Sequence, residues 1–301
     1  MKLEQLLSKV DKQHKKRVAI AQAADEGVLK AVQLALGHEL ANFTLVGDVD
    51  QIQRIAASID LDVTRDEIEL LSVPDINNTA TEAVQAVSSG NADVVMKGNI
   101  ETKMVLKAVL NKEYGIRGRN VLSHVAVFEV PDRDTFTILT DSGMNIEPSL
   151  EEKAQIISNA VQVAHAIGIE MPKVAPLAAV EVVNTAMSAT VDGATLSQMQ
   201  RRGQIKGCIV DGPLAFDNAV SIEAAEQKGI QSEVAGRADI LLAPSIEVAN
   251  ALYKSFIYFA KAQVAGVISG AKAPIVLTSR ADTAESKLYS LALALLTSER
   301  S

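Results

Sequence analysis

Residues 122–141 read LSHVAVFEVPDRDTFTILTD, and this stretch decides how the rest of the chain is interpreted. Two strand-like runs, LSHVAVFEV from Leu122 and TFTILTD from Thr135, are joined only by the four residues PDRD. Parallel strands need a crossover of a dozen or more residues, whereas antiparallel strands can be joined by a tight turn. We therefore predict an antiparallel hairpin here.

On both sides of the hairpin, short apolar runs alternate with amphipathic helical patterns. The other strand candidates are RVAIAQA from Arg17, NFTLVGD from Asn42, EIELLSV from Glu67, ADVVMKG from Ala92, KVAPLAAVE from Lys173, CIVDGPL from Cys208, ADILLAP from Ala238 and APIVLTS from Ala273. Most are apolar on both faces, which is typical of parallel strands covered by helices. The alternation predicts an α/β protein with a mainly parallel sheet.

Helix starts and one domain boundary can also be predicted. Thr79 with Glu82, and Ser149 with Glu152, have the spacing of capping boxes. The second pair opens a long helical run from Glu151 to about Gly168, directly after the hairpin. We place a domain boundary before that run, between residues 145 and 148.

Composition excludes several classes of protein. The 301 residues are 22% charged and 48% hydrophobic, which are globular values. A net charge of −8 disfavours a nucleic-acid partner, because neutralising phosphates needs a surplus of Lys and Arg. The lone Cys208 excludes a disulfide framework and fits a reducing cytoplasm. No apolar run approaches the roughly 20 residues of a membrane span, and the start, MKLEQLLSKVDKQHKKRV, lacks the apolar core of a signal peptide.

Common fingerprints are absent from the sequence. It contains no GxGxxG, Walker A, GxSxG or HExxH motif, and its four histidines are too scattered for a metal cluster. We therefore expect no metal site. One of them, His124, lies within a strand and is expected to be a packed or edge residue.

Polar residues at strand ends are the candidates for chemistry, because open α/β sheets bind ligands at the carboxyl ends of their strands. The run MKGNIETK supplies Lys97, Gly98, Asn99, Thr102 and Lys103. A glycine and a lysine before a helix start are typical of a phosphate cradle. An ordinary strand–turn–helix with a solvated lysine is the alternative.

Three further strand ends carry polar groups that also suit turns and caps. The predicted substrate-binding residues there are Asp141, Ser142 and Asn145 of LTDSGMN, Asp211 after CIV, and Pro244 and Asn250 of APSIEVAN. Asp and Asn are equally common in turns, and a helix cap accounts for Asp217 and Asn218 without any ligand. Both interpretations stay open at these positions.

The last strand end, in APIVLTSRADTAESK, combines hydroxyl, guanidinium and carboxylate groups. Asp282 or Thr283 is a good helix cap, and Glu285 follows Asp282 at capping-box spacing. A cap does not explain Ser279 and Arg280, which precede it. Arginine suits a phosphate ligand, because its planar fork pairs bidentately with phosphate oxygens.

Taken together, five motifs resemble the phosphate acetyl/butyryltransferase family. They are KGNIETKMVLKAVL, TDSGMNIEPSLEEKAQIISNAV, DGPLAFDNAVS, AGRADILLAPSIEVANALYKSFIYFAKAQVAGVISG and APIVLTSR, in family order. The pieces SIEVANALYKS and VLTSRAD resemble its butyryl branch. The resemblance implies two α/β/α lobes of the isocitrate/isopropylmalate dehydrogenase-like class with a cleft between them, and a homodimer. The first lobe would be residues 1–146 plus 272–301, and the inserted lobe residues 147–271.

The resemblance also implies a reaction, a reversible exchange of a short acyl group between coenzyme A and inorganic phosphate without metal, cofactor or acyl-enzyme. The family's catalytic pair falls on Ser279, which would hydrogen-bond the thiol, and Arg280, which would hold phosphate. The family's aspartate, thought to take the thiol proton, corresponds to Ser286. Either Asp282 or Glu285 substitutes for it as the base, or the base is weaker than in relatives.

Several alternatives stay open at this stage. The acyl group could be acetyl, or the chain could be a non-catalytic protein that binds coenzyme A or an acyl phosphate. An NAD-dependent dehydrogenase of the same fold class would need a metal-binding cluster that is not evident. The run VANALYKSFIYFAKAQVAGVI, from Val248, has an aliphatic face that includes Tyr253, Phe256 and Phe259. This face could belong to the core or to an interface, and we expect the core.

Overall fold

The structure, a computed structural model, describes residues 1–278 and 282–298, in which helices and strands alternate. The elements before residue 120 are α1 (Glu4–Lys9), β1 (Lys16–Ala21), α2 (Glu26–Gly37), β2 (Ala41–Gly47), α3 (Val49–Ser58), β3 (Ile68–Ser72), α4 (Ile76–Ser88), β4 (Val94–Lys97) and α5 (Thr102–Val109). Those that follow are β5 (Ser123–Glu129), β6 (Thr137–Thr140), α6 (Leu150–Ala166), β7 (Lys173–Pro176), α7 (Ser188–Arg201), β8 (Ile209–Val210), α8 (Phe216–Val220), α9 (Ile222–Gln227), β9 (Ile240–Leu242) and α10 (Ile246–Tyr258). The chain continues with β10 (Gln263–Ser269), β11 (Ile275–Val276) and α11 (Ala284–Thr297). None of the helices in these ranges is long and apolar enough to cross a membrane.

The chain forms two compact units. The terminal unit contains residues 3–119 and the chain from 265 onward, and the central unit contains residues 120–264 with the first two residues. The predicted boundaries, after residue 146 and before residue 272, differ from the observed ones. The reason is strand pairing, because β6 pairs with β9 and α6 packs on β5, β6 and β9, which keeps the hairpin in the central unit.

The terminal unit is built on strands in the order β3-β2-β1-β4-β11-β10. Pairs β1–β2, β2–β3, β1–β4 and β4–β11 are parallel, and the β10–β11 pair is antiparallel. Helix α4 packs on β1, β2 and β4, while α2 packs against α11. The central strands are therefore buried on both faces, as their continuous apolar sequences predict.

The central unit contains strands in the order β5-β6-β9-β7-β8. The β5–β6 hairpin is antiparallel, with Ala126 opposite Leu139, which confirms the prediction from the PDRD connection. The remaining pairs, β6–β9, β9–β7 and β7–β8, are parallel. The core beneath α10 includes Phe128, Leu241 and Phe256.

One strand and one side-chain location were predicted wrongly. Residues 263–269 form β10, although the sequence suggested a continuing aliphatic helix face. Helix α10 ends at Tyr258, so Phe259 lies beyond it and is 86% exposed, contrary to its predicted place in the core. Phe256 is buried as expected, and Tyr253 is half-buried. Helix and strand are hard to distinguish in short apolar runs, which explains the error.

The two predicted capping boxes have different outcomes. Ser149 and Glu152 form a complete box at the start of α6, where each side chain accepts from the other residue's backbone N–H. Thr79 does not cap α4, because Asp75 does so by accepting from the Asn77 N–H at 3.0 Å. Thr79 is buried one turn inside the helix.

Candidate active site

The terminal unit has a topological switch point between β1 and β4. From β1 the chain proceeds to β2 and β3 on one side, and then returns to β4 on the other side of β1. In open α/β sheets, ligands bind outside the carboxyl ends of the strands at such a point. Lys97, the last residue of β4, lies there.

Lys97 and Gly98 are tightly built into this switch point. Lys97 is 7% exposed, and its ammonium donates to the Gly98 carbonyl at 3.3 Å. The Gly98 N–H donates to the Ala21 carbonyl, and the next N–H, of Asn99, donates to the Gln22 carbonyl, both at 2.8 Å. A Cβ on Gly98 would lie 2.1 Å from the Gln22 oxygen. The glycine therefore permits close approach of the two strand ends, and its N–H is engaged by the Ala21 carbonyl.

The loop after Gly98 leads directly into α5. Asn99 is exposed, and so are Thr102 and Lys103 in the first turn of the helix. The residue before the helix, Glu101, makes no side-chain cap. The positive end of the helix dipole and the ammonium of Lys103 thus lie on the same short segment as Lys97, an arrangement suited to an anion.

Strand β11 adds to the same carboxyl edge. It runs parallel to β4 and ends at Val276, paired with Met96 immediately before Lys97. Thr278, two residues further on, is buried. The predicted catalytic residues Ser279 and Arg280 follow at once, and both lie outside the described residues.

Of the two residues predicted to cap α11, Thr283 is the one that does so. Thr283 is the cap, and it accepts from the Ser286 N–H at 3.1 Å. Helix α11 begins one residue later than a cap at Asp282 would require, so Asp282 and Glu285 do not form a capping box. Glu285 is exposed in the first turn, and the Asp282 backbone carbonyl accepts from Lys287 at 2.5 Å. A helix cap therefore does not account for the two acids.

Sequence analysis missed Lys287, a buried lysine beside this edge. Lys287 is only 3% exposed. Its ammonium lies beside the first turn of α2, because a Cβ on Gly27 would be 3.8 Å away from it. Helix α2 follows β1, so its first turn stands at the carboxyl end of that strand. The available signal was one lysine at the start of the mostly apolar run KLYSLALALL.

The parallel strands of the central unit place their own set of candidates at one edge. Asp141 follows β6, Asp211 follows β8, and Pro244 lies two residues after β9. Asp211 is half-buried, while Asn250 is exposed on α10. The structure thus brings to one edge of this sheet residues that are more than 100 positions apart in sequence.

Pro244 and Asp211 have different local settings. Pro244 lines a small pocket with the ion pair of buried Lys153 and half-buried Asp192, whose charged atoms are 2.6 Å apart. Near Asp211, the predicted cap at Asp217 and Asn218 is wrong. Helix α8 starts after Ala215 with no side-chain cap, and Asn218 is fully buried within it.

Asp141 organises the turn that follows β6. It is 4% exposed, and its carboxylate accepts backbone N–H bonds from His124, Gly143, Met144 and Asn145 at 3.0 to 3.1 Å. The Asn145 side-chain amide donates to the same carboxylate at 2.6 Å. A carboxylate with five donors is a structural acceptor that holds its loop in place. Asp141 thereby positions Ser142 and Asn145.

Ser142 and His124 form a polar pair that sequence analysis missed. Ser142 is 5% exposed, and its Oγ lies 2.7 Å from the His124 Nδ1. The His124 ring packs against the Tyr253 ring, with the two ring centroids 5.9 Å apart. The Asn250 side-chain amide donates to the Ser142 backbone carbonyl at 3.4 Å. His124 is half-buried at the start of β5. Only the antiparallel pairing with β6 reveals that it faces the turn.

Two observations concern other kinds of chemistry. Burial raises the pKa of the Cys208 thiol to about 11, so little nucleophilic thiolate forms near neutral pH. Within residues 1–278 and 282–298, no group of three or more His, Cys, Asp or Glu side chains is arranged to hold a metal ion.

Comparisons with known proteins cover nearly the whole chain. A family model described as Phosphate acetyl/butaryl transferase matches residues 2–77 and 72–295. A probable phosphate butyryltransferase of Bacillus subtilis (strain 168) is 56% identical over 299 residues, 99% of each chain. A phosphate butyryltransferase of Clostridium beijerinckii is 49% identical over 297 residues, 99% of this chain and 98% of the relative.

A solved structure is similar over nearly the same length. It is that of a branched-chain phosphotransacylase from Enterococcus faecalis V583, which is 34% identical and has a TM-score of 0.83. The similarity covers 95% of this chain and 100% of the solved one. The predicted fold class is thereby confirmed.

Proposed function

Since the chain belongs to the Phosphate acetyl/butaryl transferase family, we propose that it exchanges butyryl, or a branched short-chain acyl group, between coenzyme A and inorganic phosphate. The chain is a reversible phosphate acyltransferase. One structural observation carries the assignment of the site. The strand that leads to Ser279 and Arg280 pairs directly with the strand that ends in buried Lys97.

The reaction needs two substrates in line and a stabilised oxyanion. A phosphate oxygen attacks the thioester carbonyl carbon, the C–O bond forms, and the carbonyl oxygen becomes negative. When this intermediate collapses, the C–S bond breaks and sulfur takes the electron pair. The proton of hydrogen phosphate ends on that sulfur, so acyl phosphate and thiol form with no net gain or loss of a proton. Alignment and charge stabilisation supply the rate.

Residues of the terminal unit have anion-binding roles in this proposal. Arg280 holds phosphate and the tetrahedral oxyanion through its fork of donors, and Ser279 hydrogen-bonds the sulfur. Lys97, with Asn99, Thr102 and Lys103, binds negatively charged oxygens of phosphate or of coenzyme A. What supports these roles is the buried ammonium at the switch point and the positive end of α5. Gly98 contributes by holding the ends of β1 and β4 together.

Residues of the central unit are proposed to contact the substrate or to position those that do. Ser142, Asn145, Asp211, Pro244 and Asn250 share one strand-end edge, which is the ligand-binding edge of α/β sheets. Asp141 acts indirectly, by positioning Ser142 and Asn145, because its carboxylate is already engaged in hydrogen bonds within the turn.

Asp282 and Glu285 remain the two predicted candidates for the base that takes the proton of the coenzyme A thiol in the reverse direction. Ser286 stands where the family resemblance implies an aspartate, and neither the Asp282 nor the Glu285 side chain caps α11. A thiol of pKa about 8.5 is partly ionised near neutral pH, so a weak base suffices.

A panel of acyl-CoA substrates tests the proposed acyl group. With phosphate saturating, we expect kcat/KM for butyryl-, isobutyryl- and isovaleryl-CoA to exceed that for acetyl-CoA by about tenfold or more. Butyryl carries two methylenes more than acetyl, and each contributes about 0.8 kcal/mol when buried. Thiol release measures turnover directly.

Each alternative predicts a different outcome of this panel. A preference for acetyl-CoA would identify a phosphate acetyltransferase. Binding of coenzyme A with no thiol release from any thioester would identify a non-catalytic binding protein, and would overturn the proposal.

We also propose that the chain forms a homodimer through the end of α10. Tyr258 is 65% exposed and Phe259 is 86% exposed at this end, and two large adjacent exposed rings are typical of an interface. We expect Phe259→Asp to convert a dimer to a monomer in sedimentation experiments, because it would bury a charge in the contact.

A matched control is available in the same unit. Met171 is 55% exposed, away from the end of α10 in sequence, and Met171→Asp introduces the same charge. The molecular mass of the Met171→Asp variant in solution should equal that of the wild type. A wild-type monomer, or a Phe259→Asp dimer, would contradict the proposed interface.

We place the protein in the cytoplasm because its single cysteine suits a reducing compartment, and activity in fractionated cells tests this location.

A further inference from the structure

The terminal unit contains a polar cavity at the end of its strands opposite to Lys97. The cavity has a volume of about 900 Å³, within the range of about 300 to 1,000 Å³ that is typical of small-molecule sites. It is lined by Arg17, the second residue of β1, and by Glu69, the second residue of β3. These strands are parallel to β4, which ends at Lys97. The cavity is therefore separate from the strand-end edge described above.

A row of hydrogen-bonded side chains crosses three adjacent strands on the floor of the cavity. The Thr44 hydroxyl, on β2, donates to the Glu69 carboxylate at 2.9 Å. The Arg17 Nη1 donates to the Thr44 hydroxyl at 3.4 Å and to Glu69 at 3.5 Å. Thr44 is only 4% exposed. Charged side chains on an edge strand such as β3 discourage pairing with other chains, but that protection does not need a buried hydroxyl. The row therefore points to a polar occupant.

The two charged members of this row retain hydrogen-bonding capacity. The Arg17 side chain donates only through Nη1, to Thr44, Glu69 and the Phe43 carbonyl. Its Nε and Nη2 make no hydrogen bond within residues 1–278 and 282–298, and neither is a buried atom without a partner, so both are open to solvent. Glu69 accepts only through Oε2, and its side chain is 61% exposed. The pair thus offers donors to a carboxylate and an acceptor to an ammonium.

Two further carboxylates line the same cavity. Glu82 lies on α4, and Glu113 follows α5. Neither carboxylate has a hydrogen bond or an ion pair with any residue that the structure describes. A metal ion does not account for these acids, because no three acidic, histidine or cysteine side chains in the described part of the chain are arranged to hold one. The carboxylates are spread as an elongated cationic ligand requires, and Leu71 supplies apolar surface between them and the polar row.

We propose that this cavity binds a free basic α-amino acid, of the lysine or arginine type. The α-carboxylate pairs with Nε and Nη2 of Arg17, and the α-ammonium pairs with Glu69. Opposite charges on one carbon match an arginine and a glutamate whose charged atoms are 3.5 Å apart. The aliphatic chain of the ligand packs on Leu71, and its side-chain cation pairs with Glu82 or Glu113. One anion and two cations thus complement the one cation and three carboxylates of the lining.

Calorimetric titration of the full chain with amino acids tests the identity of the ligand. We expect L-lysine to bind with a Kd between about 1 μM and 1 mM, which is reasonable for a ligand of its size. Norleucine lacks the side-chain ammonium and cadaverine lacks the carboxylate, so each should bind at least about tenfold more weakly. L-Arginine keeps all three charges and should bind within about tenfold of L-lysine. The titration needs no acyl substrate, so its result is independent of the thiol-release assay.

Variants of the lining residues assign the individual contacts. Arg17→Gln should lower the affinity for L-lysine at least about tenfold without weakening cadaverine, which has no carboxylate to lose. The double variant Glu82→Gln, Glu113→Gln should abolish the preference for L-lysine over norleucine. Arg65→Gln is the matched control, because it breaks an ion pair with Glu67 in the same unit but outside the cavity, and it should bind L-lysine as the wild type does. Thermal unfolding reports whether each variant is folded.

Several results would overturn the inference. They are the absence of binding by both L-lysine and L-arginine, equal affinities for L-lysine, norleucine and cadaverine, and an unchanged affinity for L-lysine in a folded Arg17→Gln variant. The two analogues test the same contacts without any substitution, so a variant that fails to fold leaves the test intact. Coenzyme A should not displace L-lysine, because the Arg17 N–H bonds Asp93 before β4, about 13 Å along that strand from Lys97. Displacement would place L-lysine in the active site and would also overturn the inference.

Discussion

An Arg280→Ala variant is expected to lose about a thousandfold in kcat/KM for butyryl-CoA and phosphate. The size follows from the role proposed for Arg280 as a charged donor to the oxyanion, since removing one such donor costs about 10² to 10³ in rate and removing a phosphate-binding arginine costs more. Arg280 follows β11, which pairs with β4 beside Lys97. Most of the loss should appear in kcat and in KM for phosphate, with KM for butyryl-CoA changing less.

Two further variants make this result specific. Arg280→Lys keeps the charge but loses the planar fork, so it should recover only part of the activity. Arg54→Ala removes the same charge from an exposed position on α3 and should be indistinguishable from wild type. Unchanged turnover in Arg280→Ala would eliminate the role proposed for this residue.

The elements of the fold that could be predicted depend on neighbours in sequence. The hairpin at 122–141 followed from the length of its connection, and the cap of α6 followed from Ser149 and Glu152 alone. The same spacing failed at Thr79, because Asp75 lies one turn earlier and is an equally good cap. Spacing identifies possible caps but cannot rank two that overlap. Strand β10 was missed for a similar reason, since its apolar residues fit either a helix or a strand.

The site was predictable only as far as strand ends could be located. The carboxyl ends of the parallel strands carry the polar residues, as expected, but their partners come from distant parts of the chain. The Asp141 carboxylate already accepts hydrogen bonds from its own turn. The Gly98 N–H already donates to the carbonyl of Ala21, which lies 77 positions earlier in the chain. His124 faces Ser142 only because two strands pair. A sequence shows which groups can bind a ligand, whereas tertiary contacts decide which of them are already engaged.

A Gly98→Ala variant is expected to be destabilised by about 1 to 3 kcal/mol and to lose about a hundredfold in kcat/KM. The new Cβ would lie 2.1 Å from the Gln22 oxygen and 2.7 Å from the Ala21 oxygen. Both are backbone atoms, so the ends of β1 and β4 must separate. Lys97 precedes Gly98 directly, and a shift of about 1 Å in a positioned group can cost a hundredfold in rate.

The comparison that isolates this cause is another glycine-to-alanine change in the terminal unit. Gly37, the last residue of α2, has no atom within 4 Å of an added Cβ, so Gly37→Ala should leave activity unchanged and unfolding free energy equal or slightly higher. Denaturant unfolding and thiol release on both variants separate strain from the general effect of a methyl group. Equal behaviour of the two variants would show that β1 and β4 do not need this close approach. If only Gly98→Ala fails, the geometry of the Lys97 strand end sets the activity.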